Sequence, residues 1–197
     1  MPQSGIVPSA EAIRQLRNPT VRQVQAIVDR LRFIAEAKKT FDASPVWEEV
    51  SSRMSTRLSL VVGLRLNGVL RGGVSLRLAT PKYAWEADVY GHIEVHLPGT
   101  IRNLRVNPVE WRPLRYHDNP GNAPPVHRNQ RLWSRWIPFD INADGGLGAF
   151  DQSAPGIAVP LPRDPANFSE YTDLCSDLWN CSDLLGLSPP PWARRIL

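Results

Sequence analysis

RLSLVVGLRL (residues 57–66), GVSLRLA (residues 73–79) and WEADVYGHIEVHL (residues 85–97) are the stretches that decide the fold. In the first, Leu58, Leu60, Val62, Leu64 and Leu66 share one parity, with Arg57, Ser59 and Arg65 on the other. In the second, Val74, Leu76 and Leu78 alternate with Ser75 and Arg77. In the third, Trp85, Ala87, Val89, Gly91, Ile93, Val95 and Leu97 oppose Glu86, Asp88, Tyr90, His92, Glu94 and His96. A period of two is the pattern of a strand with one apolar and one polar face. Asn67-Gly68 and Gly72-Gly73 supply residues suited to tight turns. A fourth strand is expected around residues 101–107, where Leu104 and Val106 alternate with Asn103, Arg105 and Asn107. Together these predict a meander of four antiparallel strands whose apolar face requires a helical cover.

Upstream, Thr20 is suited to cap a helix running to about Lys39, because Val21, Val24, Ile27, Val28, Leu31 and Ile34 recur at helical spacing. A shorter helix is expected over residues 9–17, ended by Asn18-Pro19, and residues 44–55 admit another starting after Pro45. Downstream of Pro108, a segment to about residue 166 is dense in proline and carries Trp111, Trp133 and Trp136. Proline at that density breaks ladders and helices, so an ordered irregular region held by aromatics is expected. Asp144-Gly145-Gly146-Leu147-Gly148 lacks the spaced carboxylates of a calcium loop and reads as a turn. Residues 168–186 read as a C-terminal helix with a break near Asn180 and a stop at Gly186. Its expected buried face is Phe168, Tyr171, Leu174, Cys175, Leu178, Trp179 and Leu185.

The fold class that follows is α+β: an N-terminal helix, a four-stranded antiparallel meander, a proline-rich irregular region and a C-terminal helix. At 197 residues the chain fits one domain. It divides into an extension (1–19), a helix-plus-sheet part (20–107), the loop region (108–166) and the terminal helix with its tail (167–197).

Hydrophobic residues make up 42% and charged ones 21%, which excludes the disordered class. No apolar run is long enough to span a bilayer as a helix, and the opening residues do not read as a secretory leader. Two thiols, Cys175 and Cys181, without export signals fit a cytoplasmic setting. Residues 1–115 carry 17 Lys/Arg against 10 Asp/Glu, whereas residues 116–197 carry 6 against 9, so the net charge of +4 is the sum of +7 and −3. Such a basic half suits nucleic acid or an acidic protein. Aromatics do not read as interleaved with the basic residues, so nucleic acid is the less favoured partner.

Two clusters bear chemistry. His92-x-Glu94-x-His96 places three metal-competent groups on one side of a strand, where zinc or iron would serve a metal-dependent hydrolase, with His117, His127 or Asp140 completing the site. Against it stands the unbroken polar alternation from 86 to 96, which is that of a solvent-facing strand side. His117-Asp118 offers a general acid–base pair, and the competing reading is a polar turn in which Asp118 and Asn119 bond to nearby backbone. Nucleotide-binding glycine loops and a nucleophile elbow are missing from the sequence.

The order helix, four-strand meander, proline-rich stretch, His117-Asp118-Asn119, Trp136-Ile137-Pro138 and terminal helix resembles ubiquitin-conjugating enzymes, including divergent bacterial ones of ubiquitin-like conjugation and phage-defence operons. Tyr90-Gly91-His92-Ile93-Glu94-Val95-His96-Leu97-Pro98 is similar to the family strand that ends in an apolar residue and proline. The resemblance implies catalytic roles for His117 and for Asn119, at the family's oxyanion-supporting position. It implies a binding surface containing Asp118, His127, Arg128 and Trp136. The family's nucleophilic cysteine follows the His-x-Asn by about ten residues, where this chain has His127-Arg128. Hence either the chain is a non-catalytic binder of a ubiquitin-like protein or of its activating or conjugating enzyme, or Cys175 or Cys181 supplies the nucleophile from the terminal helix. An accessory role in a toxin–antitoxin pair is the remaining alternative. No resident cofactor is expected outside the metal reading.

Overall fold

The computed structural model describes residues 19–53, 55–97, 103–151 and 156–192. The short helix expected at 9–17 lies outside them. Helix α1 (Val21–Glu36) is followed by β1 (Lys39–Phe41), β2 (Trp47–Ser51), β3 (Thr56–Leu66), β4 (Val69–Pro81), β5 (Val89–His96) and β6 (Asn103–Trp111). Then come β7 (His117–Asp118), β8 (Arg131–Leu132), β9 (Arg135–Trp136), the short helix α2 (Phe139–Asn142), a 3-10 segment (Ala143–Phe150) and β10 (Val159–Pro160). Helix α3 (Phe168–Trp179) and a 3-10 turn (Ser182–Leu184) follow. The class is α+β, as the hydrophobic periodicity predicts.

The predicted meander forms, with β3, β4, β5 and β6 paired antiparallel in sequence order. Asn67 and Gly68, both at positive φ, make the β3–β4 turn. The sheet is wider than the meander. It runs β1-β3-β4-β5-β6-β9-β10, and β2 shares an edge of β3 with β1. Residues 44–55 therefore do not form the helix they admit: Trp47 to Ser51 pair with Leu60 to Thr56. Pairing wins because it turns Trp47 to the core side, edge-on to Phe168 at 6.1 Å, with its indole N–H donating to Ser188 O at 3.1 Å.

Thr20 caps α1 reciprocally, its hydroxyl accepting from Gln23 N and its own N–H donating to the Gln23 side chain. Ile27, Val28, Leu31 and Ile34 join the strand leucines and the α3 face in one hydrophobic core. Lys39 is fully buried just past α1, and its ammonium bonds Ala35 O at 3.1 Å and Ala37 O at 2.6 Å, satisfying carbonyls at the helix end. Burial pushes it down to about 8.

The third strand begins later than its pattern predicts, at Val89, because Glu86 and Asp88 take positive φ in the preceding turn. The fourth continues further, through Pro108 to Trp111. Proline is accommodated by a bulge: Gly91 pairs with Val109 and Ile93 with Val106, so Asn107 and Pro108 together face His92. Helix α3 stops at Trp179, where Asn180 adopts the left-handed conformation, rather than at Gly186. Leu185, expected in the core, is exposed, while Cys181 is buried. Residues 144–148, expected as a turn, lie within 3-10 turns over Ala143–Phe150 that are kinked at Gly146.

The rings of α3 lie directly on β5. A Cβ on Gly91 would come within 2.6 Å of the Trp179 ring and 3.1 Å of the Tyr171 hydroxyl, besides meeting Leu78. Gly91→Ala is accordingly expected to destabilise the protein by roughly 1–3 kcal/mol, as overpacked cores do, measured as a lower denaturant midpoint at unchanged slope.

Candidate functional site

Residues 112–135 leave the sheet after β6 and return to it at β9 as a loop stiffened by the β7–β8 hairpin. Its anchor is Arg135. One terminal nitrogen, Nη1, donates to three carbonyls, Arg115 O at 3.1 Å, Leu132 O at 3.2 Å and Trp133 O at 3.0 Å, while Nη2 pairs with Glu110. The guanidinium is buried, and burial lowers its pKa while Glu110 opposes that shift. A planar fork with five donors suits such convergence on carbonyls and a carboxylate.

The His-x-Asn motif lies in this loop and is structural in its bonding. Residue alternation in β7 turns His117 and Asn119 to one side and Asp118 to the other. His117 donates from Nε2 to Gly156 O at 2.9 Å, and burial, with Arg135 nearby, keeps the ring below its ordinary pKa. Asn119 is buried; its amide donates to His127 O at 2.9 Å and Ala158 O at 2.8 Å, and its oxygen accepts from Ala158 N at 2.8 Å. Both side chains clasp the strand-forming stretch 156–160. Asn119 has no donor left over for an oxyanion, which is why the catalytic assignment to His117 and Asn119 gains no geometric support.

Cys175 lies on the core face of α3 with no solvent exposure, and burial pushes its thiol well above the ordinary range. Cys181 is also buried, its thiol pushed up to about 11. A thiol held neutral and away from solvent is not a nucleophile. The relocated-nucleophile expectation gains no support from the placement of either residue.

The metal cluster also comes apart. His92 and Glu94, expected on the solvent side, are buried, at 2% and 8% exposure. They are covered by their own neighbours: Tyr90 stacks on the His92 ring at 6.0 Å, Arg57 lies over Tyr90 at 5.4 Å, and Arg77 pairs with Glu94 at 3.3 Å. Long arginine stems laid across a strand face exclude water as an apolar layer does. His92 Nε2 is 3.7 Å from Glu94 Oε2, a contact too long for a hydrogen bond, and His96 instead engages Asn103 through Nδ1 at 2.9 Å. Among the described residues, no three His, Cys, Asp or Glu side chains gather in a group that could hold a metal ion. This covers His117, His127 and Asp140 as well.

Of the expected binding residues, Asp118 and Arg128 are exposed on the loop and His127 is half-buried. Trp136 is different: it pairs in β9 between Val109 and Val159 and packs on the core. The residues that the loop does present are others. Trp133 is 58% exposed and Tyr116 44%, and their rings meet edge-on at 5.8 Å. Arg131 covers the Tyr116 ring at 4.0 Å and is held by Asp118 at 3.0 Å. Leu114 and Val126 are 69% and 70% exposed on the same loop. Arg115 makes no side-chain hydrogen bond or ion pair among the described residues.

The signal for this surface is WRPLRY at 111–116 and RLWSRW at 131–136, where arginines and aromatics do interleave, contrary to the expectation above. The charge balance taken in halves conceals it. Residues 112–135 hold five arginines against one aspartate, a local +4 within and beside a half that sums to −3.

Compared with family models, curated proteins and solved structures, the chain matches none. No helix among the described residues is long and apolar enough to cross a membrane.

Two measurements check this account. Native protein is expected to leave Cys175 and Cys181 unalkylated by iodoacetamide until denaturant is added, and rapid labelling of either in the folded state would contradict their burial. The second concerns Glu94, which the adjacent His92 ring and the Arg77 guanidinium push down to about 2 from an ordinary 4.5. A carboxylate with a depressed folded pKa stabilises the fold fully above its unfolded value and loses that contribution as pH falls toward the folded one. Between pH 4.5 and about 2 the native protein should lose stability that Glu94→Gln does not lose, read from denaturant midpoints across that range.

Proposed function

We propose that this chain is a recognition protein without catalysis of its own, binding a protein partner through the loop at residues 112–135. We propose further that the partner is a ubiquitin-like protein or the enzyme that activates or conjugates it, in a bacterial conjugation or phage-defence system of the cytosol. The observation that carries the first part is the exposed Trp133–Tyr116 pair with Arg131 on a loop pinned by Arg135. Tryptophan, tyrosine and arginine are the residues on which protein interfaces concentrate their binding energy. The loop is also set in advance, so little ordering entropy is lost on binding.

The non-catalytic part is supported by the bonding of the residues that would perform catalysis. His117 and Asn119 are engaged by the chain's own backbone, and Cys175 is shut in the core. The second part rests on the order of elements: a capped helix, a four-strand meander, the His-x-Asn, the Trp-x-Pro and a terminal helix. It is a fold-level analogy. Two unpaired thiols accord with a reducing compartment.

Affinity recovery of the tagged protein from its native host, with and without reductant, tests both parts. A ubiquitin-like protein or its activating or conjugating enzyme is expected in the eluate, unaffected by reductant and lost with Trp133→Ala. A reductant-sensitive adduct that disappears with Cys175→Ala would sink the non-catalytic reading. Recovery of a neighbour-encoded toxin would assign the protein to a toxin–antitoxin pair.

A further inference from the structure

We infer that the surface around Trp133 takes an acidic protein segment carrying a bulky apolar side chain, an inference that rests on the recognition reading above. The positive charge is local. The loop's one carboxylate, Asp118, is already spent on Arg131, so Arg115, Arg128 and Arg131 leave the exposed surface with a net positive field. Among the described residues the Arg115 guanidinium has no partner, and Arg128 uses only Nε, donating to Ala123 O at 3.3 Å. Unpaired donors of this geometry are matched by carboxylates or phosphates.

The apolar residues choose between those two. A single-stranded nucleic acid needs open aromatic faces on which successive bases stack. Here one face of Tyr116 lies beneath Arg131 and the Tyr116 and Trp133 rings meet at 81°, so the two do not form a run of parallel open faces. Leu114 and Val126 add exposed aliphatic surface that bases do not use and protein side chains do. An acidic peptide with a Leu, Phe or Trp anchor satisfies both halves: carboxylates on the arginines, the anchor against Trp133. The Trp133 indole N–H, unbonded among the described residues, adds a directional donor to a carbonyl or carboxylate.

The experiment is selection of a random peptide library on the full chain, with Trp133→Ala protein as the counter-selection. Recovered peptides are titrated at low and high salt, beside a poly-dT oligonucleotide. Trp133 is exposed and its carbonyl, not its ring, holds Arg135, so the variant keeps the fold. Enriched peptides are expected to join Asp or Glu to a bulky apolar residue and to weaken at least about tenfold on Trp133→Ala, as interface anchors do. Arg115→Glu should weaken them too and flatten their salt dependence. Trp133-dependent peptides with no acidic excess would overturn the charge preference while leaving the loop as the recognition surface. Peptides indifferent to Trp133, or none enriched, would overturn the recognition reading itself. Trp133-dependent binding of the oligonucleotide would make the ligand a phosphate backbone instead. Concentration-dependent self-association abolished by Trp133→Ala would make the occupant a second copy, whose residues 164–183 carry five acidic groups and no Lys or Arg.

Discussion

Two residues facing one, Asn107 and Pro108 against His92, fix how the two halves of the chain meet. A bulge interrupts the regular ladder, and here groups of both bulged residues bond segments distant in sequence. Asn107 O accepts the Trp179 indole at 2.7 Å, Asn107 Oδ1 accepts Phe139 N at 2.7 Å, and Pro108 O accepts Ile137 N at 2.8 Å. The first bond seats α3 on the sheet and the other two bring the chain back after the loop at residues 112–135. All three run through buried groups, where an unmade bond costs about 1–3 kcal/mol. The bulge therefore sets the position of the terminal helix and the return path of the loop from one place.

How legible this was depended on the range of the interaction concerned. Alternation over 57–66, 73–79 and 89–96 is a local record of one buried face, and the meander follows from it. The capping box at Thr20 is equally local. Strand β2 is not, since WEEVS becomes a strand only because β3 is available to pair. Strands β9 and β10 are two residues each, too short for any period to register. Burial of His92 and Glu94 was hidden for a different reason. Polar alternation marks a face without an apolar cover, yet arginine stems and a tyrosine ring close that face by lying across it.

At the site the same residues carry two possible histories of bonding, and sequence does not distinguish them. His117 and Asn119 have the chemistry of a transfer site, but a stretch of backbone at 156–158 needs donors and acceptors of the same kind and takes them. Cys175 has nucleophilic chemistry only where water reaches it, and its helical position puts it under Tyr171 and Trp179 in the core. Trp136 and Trp133 are three residues apart and end on opposite sides of the water boundary, because Trp136 is in register with Val109 and Trp133 precedes the pairing. A motif lists which groups exist. Their partners decide what the groups do.

The polar clasps and the exposed aromatics belong to one design. A loop of this length would ordinarily be mobile, and a mobile tryptophan loses entropy whenever it is bound. Here Arg135 collects three carbonyls and His117 and Asn119 fasten the following stretch, while Arg135 Nε and Gln130 Oε1 stay buried with no hydrogen-bond partner among the described residues. Exposed on the loop are the Trp133 ring, two aliphatic side chains and Arg115, whose guanidinium has no partner among the described residues. Catalysis needs free polar groups converging on a reacting atom, whereas recognition needs a rigid surface with unsatisfied contacts facing outward. In this loop His117 and Asn119 bond the chain's own backbone, and the Trp133 ring is exposed.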